Sequence, residues 1–279
     1  MKKFLCVFLA VLFVAFSFTG CKGNKNDEQK DATVAIASLN DLNGKKVAVQ
    51  NDTTSDYFAQ ALLDKGEIKF EILRYEKIIQ CYDDMALKRV DAILVDEVVA
   101  AAYMDVSKVV WSNTEGEPIG ICIKKGNDDF AAIVEKLIDT FYFDGTIATI
   151  ANKYFGRNVT EGVRTVTAAP ELDLSKLKTL NEGVLKVGME VGYPPMEYVD
   201  TDGITPIGFD VELAGKIAEK LGLKLEIVNT AWDGIFAALD NSEFDMIMSS
   251  VSITPERQEK FILTEPYISN KIVLVVPGP

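Results

Sequence analysis

Runs of strand type alternate with runs of helix type in two separate series along the chain. The first series extends over residues 45–154 and the second over residues 185–276. Between them, residues 157–184 lack a lasting periodicity and are interrupted by Gly, Thr, Ala and Pro, which is typical of a connector. Alternating strands and helices predict parallel sheets covered by helices. We therefore predict an α/β protein of two lobes, with a ligand cleft at the carboxyl ends of strands from both.

The residue composition removes several classes of function. The 279-residue chain contains no histidine, which excludes Ser-His-Asp and Cys-His catalysis and H-E-x-x-H zinc sites. Its 42 acidic and 29 basic side chains give a net charge of −13, which repels phosphate backbones and argues against nucleic-acid binding. No phosphate-binding glycine motif occurs, and we expect no cofactor and no metal. The turn at residues 200–203 lacks the spacing of a calcium loop.

A targeting signal occupies the N-terminus. Two lysines precede an apolar run over residues 4–18, which is too short for a comfortable membrane span and is typical of a signal peptide. Small residues before Cys21 resemble a lipobox, in which the cysteine is lipidated; ordinary cleavage, with Cys21 present by chance, is the alternative. We predict a signal peptide over 1–20, a lipid-anchored tether over 21–38, and an extracytoplasmic protein held at the cell membrane through Cys21.

Two further cysteines lie in the body of the chain. Cys81 falls on a helical pattern, and Cys122 falls on an apolar strand pattern. We therefore expect two buried free thiols in preference to a disulfide or a metal pair.

Both series contain segments that resemble a known protein family. In the second series, LKVGMEVGYPPMEY, IGFDVELAGKIAEKLG and ITPERQEKFILTEPY resemble lobe 1 of the type 3 extracellular solute-binding proteins, the polar amino-acid receptors of ABC importers. In the first series, LNDLNGKKVAVQNDTTSDYF, VDAILVDEVVAAAYM and IGICIKKGN resemble lobe 2 and the tail of that family. The resemblance implies the type II periplasmic-binding-protein fold, in which two lobes close on a ligand.

The order of the two segments is reversed relative to the family, which is the arrangement of a circular permutant. Its parts are lobe 2 at 39–118, a hinge strand and returning helices at 119–156, the connector at 157–184, lobe 1 at 185–270 and a second hinge strand at 271–279. We expect residues 272–276 to pair antiparallel with residues 119–124, which would be the one covalent crossing between lobes. The alternative is a fusion of two receptor fragments that is completed by exchange with a second copy. A permuted monomer is simpler, because neither half is duplicated.

The predicted site combines an arginine with an aspartate. Arg257 stands in the first turn of a helix that begins with Pro255, where an anion beside it would offset the helix dipole. A solvated arginine neutralised by nearby glutamates is the alternative. The resemblance implies that Arg257 clamps the α-carboxylate of an amino acid and that Asp96, at the end of an apolar strand, binds the α-ammonium. Asp96 could also cap the helix that follows.

Hydroxyl groups are expected around the same ligand. Thr53 and Thr54 open a helix N-terminus, which favours anions, although a capping turn explains them as well. Ser249, Ser250 and Ser252 follow a buried strand and offer donors and acceptors. Ordinary loop hydroxyls are the alternative for each serine.

Two further aspartates shape the local backbone. Asp210 is placed to N-cap a helix that ends at Gly222. Asp52 stands where the family usually has Gly, so this corner of the site is expected to differ in shape from that of the family.

The resemblance places the side chain of the ligand among Glu190, Tyr193, Met196 and Trp232. Aromatic faces bracket an aliphatic or cationic side chain well, and Glu190 would be a buried charge that needs a partner. Each aromatic residue fits a core position as readily. We predict a basic amino acid, lysine or arginine, ahead of glutamine or cystine.

These features together predict a monomeric binding protein, not an enzyme, that captures a polar and preferably basic amino acid between two closing lobes. It would deliver the amino acid to the membrane permease of an ABC importer. Two alternatives stay open at this point. The same fold family includes cyclohexadienyl dehydratases, for which Glu190 could supply the acid, and a sensor would instead transmit closure to a membrane partner.

Overall fold

Two mixed five-stranded sheets organise the computed structural model, which describes residues 35–278. Each sheet, with the helices that cover it, is here called a lobe. The strands of lobe 2 are β1 (Lys46–Gln50), β2 (Glu71–Tyr75), β3 (Ala92–Asp96), β4 (Ser107–Ser112) and β14 (Ile272–Pro277), in the order β2-β1-β3-β14-β4. The strands of lobe 1 are β6 (Cys122–Lys124), β7 (Val184–Met189), β10 (Lys224–Asn229), β11 (Met246–Ile247) and β12 (Phe261–Leu263), in the order β10-β7-β11-β6-β12.

Helices and two small sheets complete the described residues. The α-helices are α1 (Thr54–Asp64), α2 (Ile78–Ala86), α3 (Glu97–Ala100), α4 (Asp128–Phe143), α5 (Thr146–Phe155), α6 (Phe209–Leu221), α7 (Trp232–Asp240) and α8 (Pro255–Lys260). Short 3-10 helices cover Leu39–Leu42 and Ala101–Tyr103. The two-stranded sheets join β5 (Glu117–Ile119) to β13 (Ile268–Asn270) and β8 (Tyr198–Val199) to β9 (Pro206–Ile207).

Parallel pairing brings the ends of separate strands to one edge in each lobe. In lobe 2, β1 pairs parallel with β2 and β3; in lobe 1, β7 pairs parallel with β10 and β11. β3 is buried at every position, as expected for a strand covered on both faces. The polar residues Gln50 and Asp96 therefore end neighbouring strands of lobe 2, and Glu190 directly follows β7 in lobe 1.

The largest apolar cluster is continuous from one lobe to the other. It includes Val95 of β3, Ile119 and Ile121 between the lobes, and Val187 of β7. Two smaller clusters lie on the opposite faces of the two sheets, one in lobe 2 and one in lobe 1. Cys81 and Cys122 are buried in these cores as free thiols, as the sequence predicts.

The hinge differs from the prediction. β13 pairs antiparallel with β5, with Ile268 opposite Ile119, so residues 35–278 contain two crossings between the lobes. β14 lies wholly inside lobe 2, antiparallel to both β3 and β4. The predicted hinge strand at 271–279, its pairing with residues 119–124 and the single crossing are therefore wrong. Ile272 to Val276 are all buried, and this unbroken apolar run reflects a central sheet strand.

The start of α6 also differs from the prediction. Gly208 occupies the N-cap position with φ 133°, and Asp210 lies in the first turn. A Cβ atom at position 208 would collide with the backbone oxygen of Met196, so this position requires Gly. Asp210 is therefore not the N-cap, and its carboxyl group is free to point into the interior of lobe 1.

Among the helices of residues 35–278, none combines the length and the apolar character of a membrane-spanning segment. The predicted signal peptide, the lipidation site at Cys21 and most of the predicted tether lie outside the residues that the structure describes.

Candidate binding site

A cavity between the lobes collects most of the predicted site residues. It contains about 330 Å3 of space between its atoms, including the part open to solvent. The lining residues are Gln50, Thr53, Thr54, Asp96, Glu190, Tyr193, Glu197, Trp232, Ser249, Ser250, Ser252 and Arg257. Ten of the eleven predicted ligand residues are in this set. Met196 is not, because it is fully buried in the core, and its predicted place in the side-chain pocket is wrong.

Arg257 supplies a buried positive charge in the lining of the cavity. Thr254 caps α8 by accepting from the Arg257 backbone N–H (3.2 Å), and Pro255 is the first helical residue. The Arg257 guanidinium lies over the rings of Trp232 and Phe236, 5.3 and 5.0 Å from their centres. It donates to the Ser252 backbone oxygen (3.0 Å).

The Arg257 charge is incompletely neutralised. The residue is 9% exposed, and within residues 35–278 it forms no ion pair with a carboxylate. Burial lowers the pKa of the guanidinium. A planar guanidinium that is already stacked and oriented is well prepared to bind a carboxylate through two hydrogen bonds. The predicted alternative, a solvated arginine paired with nearby glutamates, is contradicted.

Asp96 supplies a buried carboxyl group at the end of β3. It stands at the N-cap position of α3, but its side chain caps no backbone N–H. It accepts instead from the Tyr193 hydroxyl (2.9 Å). Burial, and then the charge of Glu117, raise the pKa of Asp96 to about 8. Glu117 is held on β5 by Asn270 of the paired hinge strand (2.9 Å), so the hinge lies beside this carboxyl group.

The two threonines have different roles, because Thr53 caps a helix and Thr54 faces lobe 1. Thr53 caps α1 by accepting from the Asp56 N–H (3.3 Å), and it donates to the Gln50 backbone oxygen (2.8 Å). Its hydroxyl is thus used within lobe 2. Thr54 lies 3.4 Å from the Ser252 hydroxyl of lobe 1. Asp52, at the corner before them, has φ 56°, a left-handed conformation that Gly adopts without steric cost.

The three serines make different contacts. The Ser249 hydroxyl donates to Glu197 (2.6 Å) and accepts from the Glu190 backbone N–H (3.0 Å). Ser250 has φ 49°, and its hydroxyl is buried without a partner among the described residues. Ser252 contributes its backbone oxygen to Arg257. Ser250 is therefore the serine whose hydroxyl is best placed to serve a ligand.

Glu190 lines the same cavity from lobe 1. It accepts from Gln50 of lobe 2, with 2.7 Å between Nε2 and Oε2. Burial raises the pKa of Glu190 to about 7. Because a buried carboxylate is stabilised by a neighbouring cation, the surroundings of Glu190 are suited to a cationic group.

Four contacts join the lobes across the cavity. They are the hydrogen bonds Gln50–Glu190 and Tyr193–Asp96, the Thr54–Ser252 hydroxyl pair, and the bond from the Trp232 indole N–H to the Asp52 backbone oxygen (3.1 Å). Each places a group of lobe 2 against a group of lobe 1. The site is therefore formed by both lobes together.

Sequence reasoning missed two lining residues, Gln50 and Glu197. Gln50 ends a buried parallel strand, the same signal that identified Asp96, and could have been found in that way. Glu197 precedes the two-residue strand β8 and has no periodic signal. Its backbone pairs with Tyr193 across a short turn, and its carboxyl group is positioned by the distant residue Ser249.

Comparisons with known proteins match part of the chain. Residues 185–278 match the family described as bacterial extracellular solute-binding proteins, family 3. The L-cystine-binding protein TcyJ of Escherichia coli is 36% identical over 115 residues, 41% of this chain and 42% of that protein. The cyclohexadienyl dehydratase of Pseudomonas aeruginosa is 37% identical over 33% of this chain and 34% of that protein.

A third relative carries a different ligand in its name. The probable ABC transporter arginine-binding protein ArtJ of Chlamydia trachomatis is 38% identical over 33% of this chain and 36% of that protein. The matched part of this chain covers less than half the length of each of these three relatives. Two of the three are binding proteins and one is an enzyme.

Proposed function

We propose that this chain captures a polar amino acid and delivers it to an ABC importer. The match of residues 185–278 to the family 3 bacterial extracellular solute-binding proteins supports this function. One observation carries the proposal. The buried guanidinium of Arg257 and the buried carboxyl group of Asp96 line the same cavity. A free amino acid carries one carboxylate and one ammonium, so these two groups complement its backbone.

The carboxyl group of Glu190 supports a basic side chain for the ligand. Glu190 lines the cavity, and within residues 35–278 it forms no ion pair. A lysine or arginine side chain would supply the missing positive charge. Trp232 would offer an aromatic face to its aliphatic part. The ligand that we infer is arginine or lysine, ahead of glutamine and cystine.

A ligand screen with matched analogues tests this proposal. Thermal unfolding is recorded with arginine, lysine, glutamine and cystine; a ligand at 100 times its dissociation constant adds about 2.7 kcal/mol to the free energy of unfolding. Agmatine, which is arginine without the α-carboxylate, is the control for the role of Arg257. Stabilisation by arginine and not by agmatine is expected. Equal stabilisation by both would contradict the carboxylate clamp, and no shift with any amino acid would contradict the proposed function.

The cellular location and chain order belong to the same proposal. We infer an extracytoplasmic protein anchored by lipid at Cys21, and a permuted monomer with the lobe 2 segment ahead of lobe 1. The family description, which is extracellular, supports the location. Incorporation of labelled fatty acid, lost in Cys21→Ala, tests the anchor. If wild type and Cys21→Ala both stay soluble and unlabelled, the lipid anchor is refuted.

An enzyme of the dehydratase type is the second candidate. Its support is the similarity to the cyclohexadienyl dehydratase and the presence of carboxyl groups in the cavity whose pKa values are raised by burial, which suits a general acid. Incubation with prephenate or arogenate and assay of the aromatic product decides between the candidates. Turnover that is abolished in Glu190→Gln would favour the enzyme, whereas no product beside tight amino-acid binding supports the binding protein.

A further inference from the structure

Two buried carboxyl groups, those of Glu197 and Asp210, contact the consecutive residues Ser249 and Ser250. Glu197 is 1% exposed and Asp210 is fully buried. Within residues 35–278 neither forms an ion pair. Two buried negative charges without a cation are strongly disfavoured. The pair is therefore expected to carry a proton, and the contacts of each residue indicate which one holds it.

Asp210 has the contacts of an ionised carboxylate. It accepts from the Ser250 backbone N–H (3.0 Å) and from the Tyr267 hydroxyl (2.8 Å). It also lies in the first turn of α6, where the helix dipole favours negative charge. Three features thus stabilise its charged form.

Glu197 has the contacts of a neutral acid. Its Oε1 atom accepts from the Ser249 hydroxyl (2.6 Å), and its Oε2 atom is buried with no partner among the described residues. A carboxylate oxygen left unpartnered in the interior is more costly than the corresponding atom of a protonated acid. The orphaned Oε2 atom is the natural position for the proton.

The surroundings of Glu197 oppose its ionisation. Burial first, and then the charge of Asp210, raise the pKa of Glu197 well above its usual range, and Glu190 and Asp96 act in the same direction. The other titratable groups beside it are the hydroxyls of Tyr193 and Tyr267. Burial also raises the pKa of Asp210, while its hydrogen bonds to Ser250 and Tyr267 lower it.

We propose that Glu197 and Asp210 share one proton, held on Glu197, and that the pair positions Ser249 and Ser250 for the ligand. Neutral Glu197 fixes the Ser249 hydroxyl, which in turn binds the Glu190 backbone N–H. Charged Asp210 holds the Ser250 backbone in its left-handed conformation, which leaves the Ser250 hydroxyl unpartnered at the cavity. Both are positioning residues. The ligand-binding part rests on the proposed function, whereas the shared proton does not.

The ligand-free protein tests the shared proton. The folded pair keeps a proton that the unfolded chain releases, so wild-type stability declines as pH rises from the ordinary glutamate pKa through the raised folded value. Glu197→Gln removes this proton and keeps the shape. The free energy of unfolding of Glu197→Gln is expected to rise relative to that of wild type as the pH increases above the ordinary glutamate pKa. The infrared carbonyl band of protonated carboxyl groups should also weaken in Glu197→Gln. Parallel stability curves together with an unchanged band would overturn the proposal.

A second variant tests which residue holds the proton. Asp210→Asn removes the negative charge and replaces one of the two acceptor oxygens by a donor, which weakens the hydrogen bonds from the Ser250 N–H and the Tyr267 hydroxyl. It is expected to be less stable than Glu197→Gln at every pH and to retain the infrared band. If Asp210→Asn is well tolerated and Glu197→Gln is not, the proton lies on Asp210 and the assignment is overturned.

Arginine binding tests the positioning role. Glu197→Gln is expected to bind arginine within about threefold of wild type, while Glu197→Ala, which leaves Ser249 without its acceptor, binds it about tenfold or more weakly. Equal affinity in Glu197→Ala and wild type would refute positioning. If wild type binds neither arginine nor any other amino acid, the proposed function fails, and the stability and infrared results still decide whether the proton is shared.

Discussion

Amino-acid binding is predicted to release protons from the cavity. Burial raises the pKa of Asp96 to about 8 and that of Glu190 to about 7. At pH 7 the first group is about nine-tenths protonated and the second about half protonated, by the ordinary titration relation. An α-ammonium beside Asp96 and a cationic side chain beside Glu190 each favour the ionised carboxylate. Both protons are then lost when a basic amino acid binds.

The magnitude distinguishes the two classes of ligand. Arginine should release about 1.4 protons at pH 7, and glutamine, which leaves Glu190 without a cation, about 0.9. The sign of the pH dependence follows, since a binding reaction that releases protons strengthens as pH rises. Ionisation of Asp96 alone should strengthen binding about fiftyfold between about pH 6 and pH 8. Above that window the gain should level off.

Calorimetric titration in buffers with different ionisation enthalpies measures the number of protons directly. Asp96→Asn is the matched control, because it keeps an acceptor for the Tyr193 hydroxyl and cannot release a proton at this position. Asp96→Asn should bind the amino acid more weakly than wild type, and the larger part of the proton release should be lost. If arginine and glutamine bind wild type with no buffer dependence, the assignment of Asp96 to the ammonium is refuted.

Three further predictions concern the site, the fold and the assembly. Arg257→Ala should weaken amino-acid binding more than a hundredfold, since removing one partner of a buried charge pair costs ~3–5 kcal/mol. Arg257→Lys should recover part of the lost affinity. Wild-type affinity in Arg257→Ala would disprove the carboxylate clamp. Deletion of residues 272–279 removes five buried aliphatic side chains, whose burial is worth roughly 8–15 kcal/mol at ~1.5–3 kcal/mol each. The deletion should abolish the cooperative unfolding of lobe 2, as monitored by circular dichroism. An unchanged urea midpoint would show that β14 is dispensable. Light scattering should find a monomer at all concentrations, and a dimer that loses ligand binding on dilution would establish exchange between copies.

The predictability of the fold varied with the type of signal. Alternating apolar runs identified the sheets and the paired helices α4 and α5, because periodicity reports directly which face is buried. Strand pairing across long sequence separations left no such trace. β14 is equally apolar whether it pairs in a hinge or at the centre of a sheet, and the buried run alone did not distinguish the two.

The same difference between local and long-range features applies to the residues of the site. Arg257 and Asp96 were found from local sequence, because a helix start and a strand end are local features. Glu197 was not, since its surroundings are assembled from separate parts of lobe 1. Asp210 was assigned to a cap because cap residues are common before helices, and the actual cap, Gly208, is required by a close backbone approach that the sequence does not display.

The position of β14 has a consequence for the order in which the chain completes its folding. β4 has β14 as its neighbour in the lobe 2 sheet, and β3 is bordered by β14 on one side. During synthesis the first four strands of lobe 2 are made early, yet β4 lacks its partner and one edge of β3 stays open until residues 272–277 emerge. Lobe 1, from β6 to β12, is made entirely within that interval. The lobe that is begun first is thus finished last, and its long-range pairing makes slow folding and exposure to aggregation the expected hazards of producing this protein.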